Sequence, residues 1–156
     1  ASGRRGFDYR QVHMKIKKRR KITVACCGSF DGEIHPGHIN FLNKSKKNGN
    51  FLHVFVVPDE IIVKNKNRNP IHNQNYRVKC LRALGIAHKI TSLKGDNQNQ
   101  LKQIEQIKPD VFCFGEDQNK LFDKKIEKSL RKFSTKIVKI SRYKSEKYST
   151  TLSLNR

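Results

Sequence analysis

Gly28-Ser29-Phe30-Asp31-Gly32-Glu33-Ile34-His35-Pro36-Gly37-His38 is the stretch from which the rest of the chain can be read. It follows a short β-rich apolar run, Ile22 to Cys27, and opens a segment with Ile39, Leu42 and Lys46 at helical spacing. That segment, His38 to Asn48, ends at Asn48-Gly49, a helix-stop signal. The order is strand, glycine turn, helix start. Gly28 permits the turn, and Gly37 lets the backbone approach a phosphate closely. A helix start presents N–H groups and the positive end of its dipole to an anion. His35 and His38, three residues apart, can face the same point, so the stretch reads as a cradle for a triphosphate. A zinc pair would need a third ligand at zinc spacing, and the sequence has none.

Working outward, Phe51 to Val57 is a second continuous apolar run. Both runs lack alternation, as parallel strands covered on both faces do. Pro58 to Pro70 is polar, with Lys64, Lys66 and Arg68 among asparagines, and reads as a flexible loop. Helical spacing returns over Asn73 to Leu84, Asn97 to Ile107 and Lys120 to Phe133. Strand composition returns over Ala87 to Leu93, Val111 to Phe114 and Lys136 to Ile140. Alternating strands and helices imply a doubly wound, Rossmann-like α/β fold: a parallel five-stranded sheet with helices on both faces. Ligands of such sheets bind beyond the carboxyl ends of the strands, so the loops after Cys27, Val57, Phe114 and Ile140 should line one site.

The 156 residues carry 34 Lys and Arg against 13 Asp and Glu, a net charge of +21. That balance favours anionic partners, although joint Lys and Asn enrichment also accompanies a biased base composition. Cys26, Cys27, Cys80 and Cys113 lie in apolar surroundings without metal or redox spacing, as in reduced thiols of a cytoplasmic protein. No apolar run approaches the ~18 residues of a membrane span. Residues 1–20 read as a basic leader or tail and 21–156 as one domain.

The first stretch resembles the G-x-F-D-x-x-H-x-G-H signature of cytidylyltransferase-like nucleotidyltransferases. That group includes glycerol-3-phosphate and heptose-phosphate enzymes and archaeal FAD synthases. Ile39-Asn40-Phe41-Leu42 through Lys46 and Gly49 is similar to the family's first helix, and Arg77 falls at its phosphate-contacting arginine. Gly115-Glu116-Asp117-Gln118 resembles its G-x-D-Q turn, and Ser149-Thr150-Thr151 its final S-T-T motif. In three places the chain departs from the pattern. Asp31 to His38 spans seven positions where the family has six, Asn75 replaces an acidic residue, and Lys144 or Arg142 stands for the arginine before the last motif.

The resemblance implies transfer of CMP or AMP from CTP or ATP to a phosphorylated small molecule, with pyrophosphate as leaving group. It assigns His35, His38 and Lys46 to catalysis, Lys46 also holding acceptor phosphate. It assigns Gly28, Ser29, Phe30, Asp31, Gly37, Arg77, Gly115, Asp117, Ser149 and Thr150 to the nucleotide, and it implies Mg²⁺ and a homodimer. Lys64, Lys66 and Arg68 would close over the substrate as a lid. The final motif favours a polyol or sugar phosphate as acceptor with CTP. The Asp59-to-Arg77 spacing and the Gly115 turn favour FMN. A nucleotide-sensing pseudo-enzyme and a basic nucleic-acid-binding module are the other readings; the absence of Trp and of any RNA-binding signature argues against the last.

Overall fold

The computed structural model describes residues 18–116 and 120–144. Its elements run β1 (Thr23–Gly28), α1 (Pro36–Lys46), β2 (Phe51–Val56), α2 (Asp59–Lys66), α3 (Gln74–Leu84), β3 (Lys89–Ser92), α4 (Asn97–Ile107), β4 (Val111–Gly115), α5 (Lys120–Arg131) and β5 (Lys136–Ile140). The sheet is parallel throughout, in the order β3-β2-β1-β4-β5. β1 is central. It pairs with β2 from Thr23↔Phe51 to Gly28↔Val56 and with β4 from Val24↔Val111 to Cys26↔Cys113. The chain winds outward from β1 to β3, then crosses back to β4, so the switch point lies between β1 and β4. A crevice beyond Gly28 and Gly115 is where this topology places ligands.

Side-chain alternation along the strands feeds two apolar layers. Val24, Cys26, Leu52, Val54, Val56, Val111 and Cys113 pack with Leu42 of α1 and with Val78 and Leu81 of α3. Ala25, Cys27, Phe55, Phe112 and Phe114 pack with Ile62 of α2, Ile104 of α4, and Ile126 and Leu130 of α5. Strands covered on both faces need no polar side, which is why β1 and β4 read as apolar runs and β2 does so apart from the buried His53.

Two expectations change here. Residues 59–66 are not loop but the helix α2. Its apolar residues, Ile61, Ile62 and Val63, are consecutive, so they show no helical period, and Ile62 alone of the three is buried. The helix is supported instead by charge: Asp59 and Glu60 in its first turn, Lys64 and Lys66 in its last. Gly49 does not cap α1 in a left-handed conformation; the cap is Lys47, in the right-handed helical region. Gly49 serves close approach, because a Cβ there would sit 2.6 Å from the Ile22 carbonyl oxygen and 2.7 Å from Val24 Cγ2.

Candidate active site

His35 is the N-cap of α1, and its Nδ1 accepts the Gly37 N–H at 3.1 Å. A neutral imidazole that accepts at Nδ1 carries its proton on Nε2, so this contact fixes the tautomer. The His38 and Ile39 N–H groups bond to the His35 carbonyl at 2.9 and 3.2 Å. The first backbone donors of α1 are therefore taken up by His35 itself. The expectation of free N–H groups facing an anion gives way to a different one: the dipole remains, but the donors left over are ring nitrogens.

The His35 and His38 rings stack with centroids 3.8 Å apart and planes 20° apart, and Phe30 flanks His38 at 5.5 Å. Burial, then the neighbouring His35 and Lys66, pull His38 down to about 4. Burial also lowers His35, against a hydrogen bond with its own backbone that raises it. Both rings are accordingly neutral donors at neutral pH. His38 Nδ1 is buried and has no hydrogen-bond partner among the described residues. A buried polar atom without a partner is costly, and substrate is a common reason for one.

The turn before this pair is bent twice. Phe30 has φ 47° and Gly32 φ 84°. The bend sends the Phe30 ring under His38 and turns Asp31 inward, where its side chain is wholly buried. Gly28 is required by the same bend, since a Cβ there would lie 2.9 Å from the Phe30 ring. Asp31 Oδ1 accepts the Ile71 N–H at 2.9 Å, and Oδ2 lies 2.7 Å from Arg68 Nη2 and 3.9 Å from Lys66 Nζ. Burial alone would raise this carboxyl, but the Ile71 amide, Arg68 and Lys66 outweigh it and hold Asp31 below its ordinary value. Asp31, expected at the nucleotide, therefore faces protein partners here.

Arg77, the expected phosphate-contacting arginine, is bound within the protein. It is 1% exposed, so it presents no surface to a phosphate. Its Nε donates to the His72 carbonyl at 3.1 Å, Nη1 to the Ser29 carbonyl, and Nη2 to the Val57 carbonyl at 3.0 Å and Asp59 Oδ1 at 2.7 Å. It braces the loops that leave β1 and β2 and so holds the floor of the crevice. Gln74 does similar work, its Nε2 donating to the Val56 and Leu93 carbonyls at 2.8 and 2.9 Å. Reading the sequence missed both braces. The only signal was a carboxylate directly after a strand, Asp59, and an arginine one helix later.

Lys46, expected at the acceptor phosphate, has its place set by the helix. It lies in the last turn of α1, eight residues beyond His38 and so about 12 Å along the helix axis. The structure leaves it at the end of α1 away from the imidazoles. Of the proposed lid residues, Lys66 and Arg68 reach Asp31. Lys64 instead lines a shallow cleft with Asn65, Asn97, Leu121, Phe122 and Lys125. Ser29 and Gly115 sit at the carboxyl ends of β1 and β4. Asp117, Ser149 and Thr150 lie outside the described residues. No group of three His, Cys, Asp or Glu among the described residues could hold a metal. Magnesium usually takes one or two carboxylates and relies on substrate phosphates, so a Mg²⁺ here would be held chiefly by the triphosphate.

Three comparisons bear on this arrangement. The family model described as cytidylyltransferase-like matches residues 25–156. The FAD synthase of Archaeoglobus profundus is 39% identical over 122 residues, 76% of this chain and 74% of that protein. The FAD synthase of Methanohalobium evestigatum is 36% identical over 132 residues, 83% of this chain and 84% of its own. Among solved structures, the lipopolysaccharide core biosynthesis protein of Thermoplasma volcanium superposes with a TM-score of 0.67 at 32% identity. The match covers 80% of this chain and 99% of that one. No helix among the described residues is long and apolar enough to cross a membrane.

Proposed function

Since the chain belongs to the cytidylyltransferase-like family and is a nucleotidyltransferase, we propose that it transfers AMP from ATP to the phosphate of FMN, making FAD and pyrophosphate. The reading rests on one observation above the others: two stacked, neutral imidazoles at the start of α1, beside the switch point. The acceptor follows from the relatives named FAD synthase, which cover most of the chain. They weigh more than the S-T-T ending, which had favoured a polyol or sugar phosphate.

An FMN phosphate oxygen attacks the α-phosphorus in line. The new P–O bond forms as the bond from the α-phosphorus to the bridging oxygen breaks, and pyrophosphate carries that electron pair away. Nucleophile and leaving group are both anions, so no general base is needed. Catalysis is positioning and charge stabilisation. His35 donates from Nε2 to an α- or β-phosphate oxygen, and His38 donates a ring N–H beside it. Lys66, whose charge acts on His38, adds positive potential at that end of the site. Bound Mg²⁺ would neutralise the leaving pyrophosphate. Arg77 and Asp31 keep the loops in place and touch neither substrate.

The test is product analysis. The full chain with Mg²⁺ is offered ATP or CTP together with FMN, glycerol 3-phosphate or a sugar phosphate, and nucleotide products and pyrophosphate are measured. FAD formed from ATP and FMN, at a rate well above every other pair, is expected. A cytidylylated polyol or sugar as the main product would replace the flavin reading. Pyrophosphate release from no pair would remove the transferase assignment.

A further inference from the structure

Asp31 stands one residue after Phe30, whose ring underlies His38, yet its own carboxylate points the other way. Its side chain is fully buried, a costly place for an anion unless several donors meet it. The donors come from the segment after α2. Asn67 ends α2 in the left-handed region, turning the chain back. Arg68 then reaches Asp31 Oδ2 at 2.7 Å and also donates to the Asn69 carbonyl at 2.9 Å. The Ile71 N–H closes on Oδ1 at 2.9 Å. Lys66, at the end of α2, has its ammonium 3.9 Å from Oδ2, and its charge also acts on His38. One carboxylate thus gathers three groups of the 66–71 segment against the loop that carries the imidazoles.

We propose that Asp31 is a positioning residue for the transfer: by gripping the Ile71 amide and the Arg68 guanidinium it fastens the 67–71 segment and keeps the Lys66 ammonium beside His38. The segment is therefore latched before substrate arrives. Asp31 acts through Lys66, which meets the phosphates, and has no contact with them itself. An unlatched segment lets Lys66 sample many positions, and a displacement of about 1 Å at such a group costs on the order of 10² in rate. The role rests on the transferase reading above, and the experiment is arranged so that the two can fail separately.

The variants are Asp31→Asn, Lys66→Gln, the double variant, and Arg68→Lys beside Arg68→Gln. Asp31→Asn keeps an oxygen for Ile71 and removes the charge that holds Arg68 and Lys66. Amide exchange over residues 66–73, measured without ligand, should speed up about 10-fold or more in Asp31→Asn and Arg68→Gln. It should stay nearer the native rate in Arg68→Lys. kcat should fall about 10- to 100-fold in Asp31→Asn, measured at a temperature where the variant is folded. The double variant should be no slower than Lys66→Gln alone, since residues acting as one unit are not additive. Unchanged exchange in Asp31→Asn, or rate losses that multiply in the double variant, would overturn the latch. If native protein forms no FAD, the acceptor assignment fails. The exchange data and the same double-variant cycle on ATP affinity then still decide the role of Asp31.

Discussion

Replacing Arg77 by Met separates a buried brace from a phosphate ligand, because the two make opposite forecasts. The methionine keeps most of the aliphatic stem and removes the guanidinium. Four acceptors lose their donor: the carbonyls of Ser29, Val57 and His72, and the Asp59 carboxylate. A buried acceptor left without a partner costs about 1–3 kcal/mol, so three carbonyls give about 3–9 kcal/mol. The Asp59 side chain is 36% exposed, so that edge of the site lies open to solvent. Water reaching the acceptors from there pulls the figure toward its lower half, about 3–5 kcal/mol, the range found when one partner of a buried ion pair is removed. At about 2–4 °C per kcal/mol for a chain of this size, melting should fall on the order of 10 °C. The assay is urea unfolding followed by circular dichroism, with a thermal melt as a second measure. A phosphate-contacting surface arginine would leave stability within about 0.5 kcal/mol and weaken only nucleotide binding. That second pattern in Arg77→Met would refute the brace.

Three further outcomes follow from the same coordinates. His38→Ala should lower kcat by about 10²–10³, the loss typical of one preorganised donor, while ATP affinity by calorimetry changes much less; an unaltered kcat would remove His38 from the chemistry. Gly49→Ala must push a Cβ into the Ile22 carbonyl, which is itself fixed by the Asn50 and Phe51 N–H groups, so about 1–3 kcal/mol of stability should be lost in urea titration, against none if the backbone yields. Acid should destabilise the fold through His38 and His53, both held at about 4 by burial against an ordinary 6.5. Above pH 6.5 both are neutral in folded and unfolded chains. Between pH 6.5 and about 4 the unfolded chain binds protons that the folded one refuses, so unfolding free energy should decline over that window. Urea titrations at pH 7.5 and 4.5 should show a shallower decline in His53→Gln. Stability that rises on acidification would contradict the assignment.

The strand and helix order was legible because this fold writes it plainly. Residues 24–27 and 111–114 are apolar without interruption and 52–57 apart from the buried His53, as two-sided burial favours, and each run ends near a glycine or proline. α2 was illegible because Ile61–Val63 carry no period and its support is a charge gradient along the axis. The imidazole pair was legible as a local pattern, since three residues at a helix start fix the geometry. Arg77 and Asp31 were not. Their partners lie 5 to 48 residues away for Arg77 and 35 to 40 away for Asp31, and most are backbone atoms that leave no mark on residue type. The place of Lys46 was legible too, because helical rise puts a residue eight positions from His38 at the other end of α1.

The most direct test of the account is ¹⁵N-edited NMR of the imidazoles, titrated with Mg²⁺ and a non-hydrolysable ATP analogue at pH 7. Both rings should stay neutral, and the Nε2 signal of His35 and the ring-nitrogen signals of His38 should shift together with one saturation curve. His53, His72 and His88 should stay still. Saturable nucleotide binding that leaves His35 and His38 unmoved would mean that the triphosphate sits elsewhere, and the assignment of this site would fall with it.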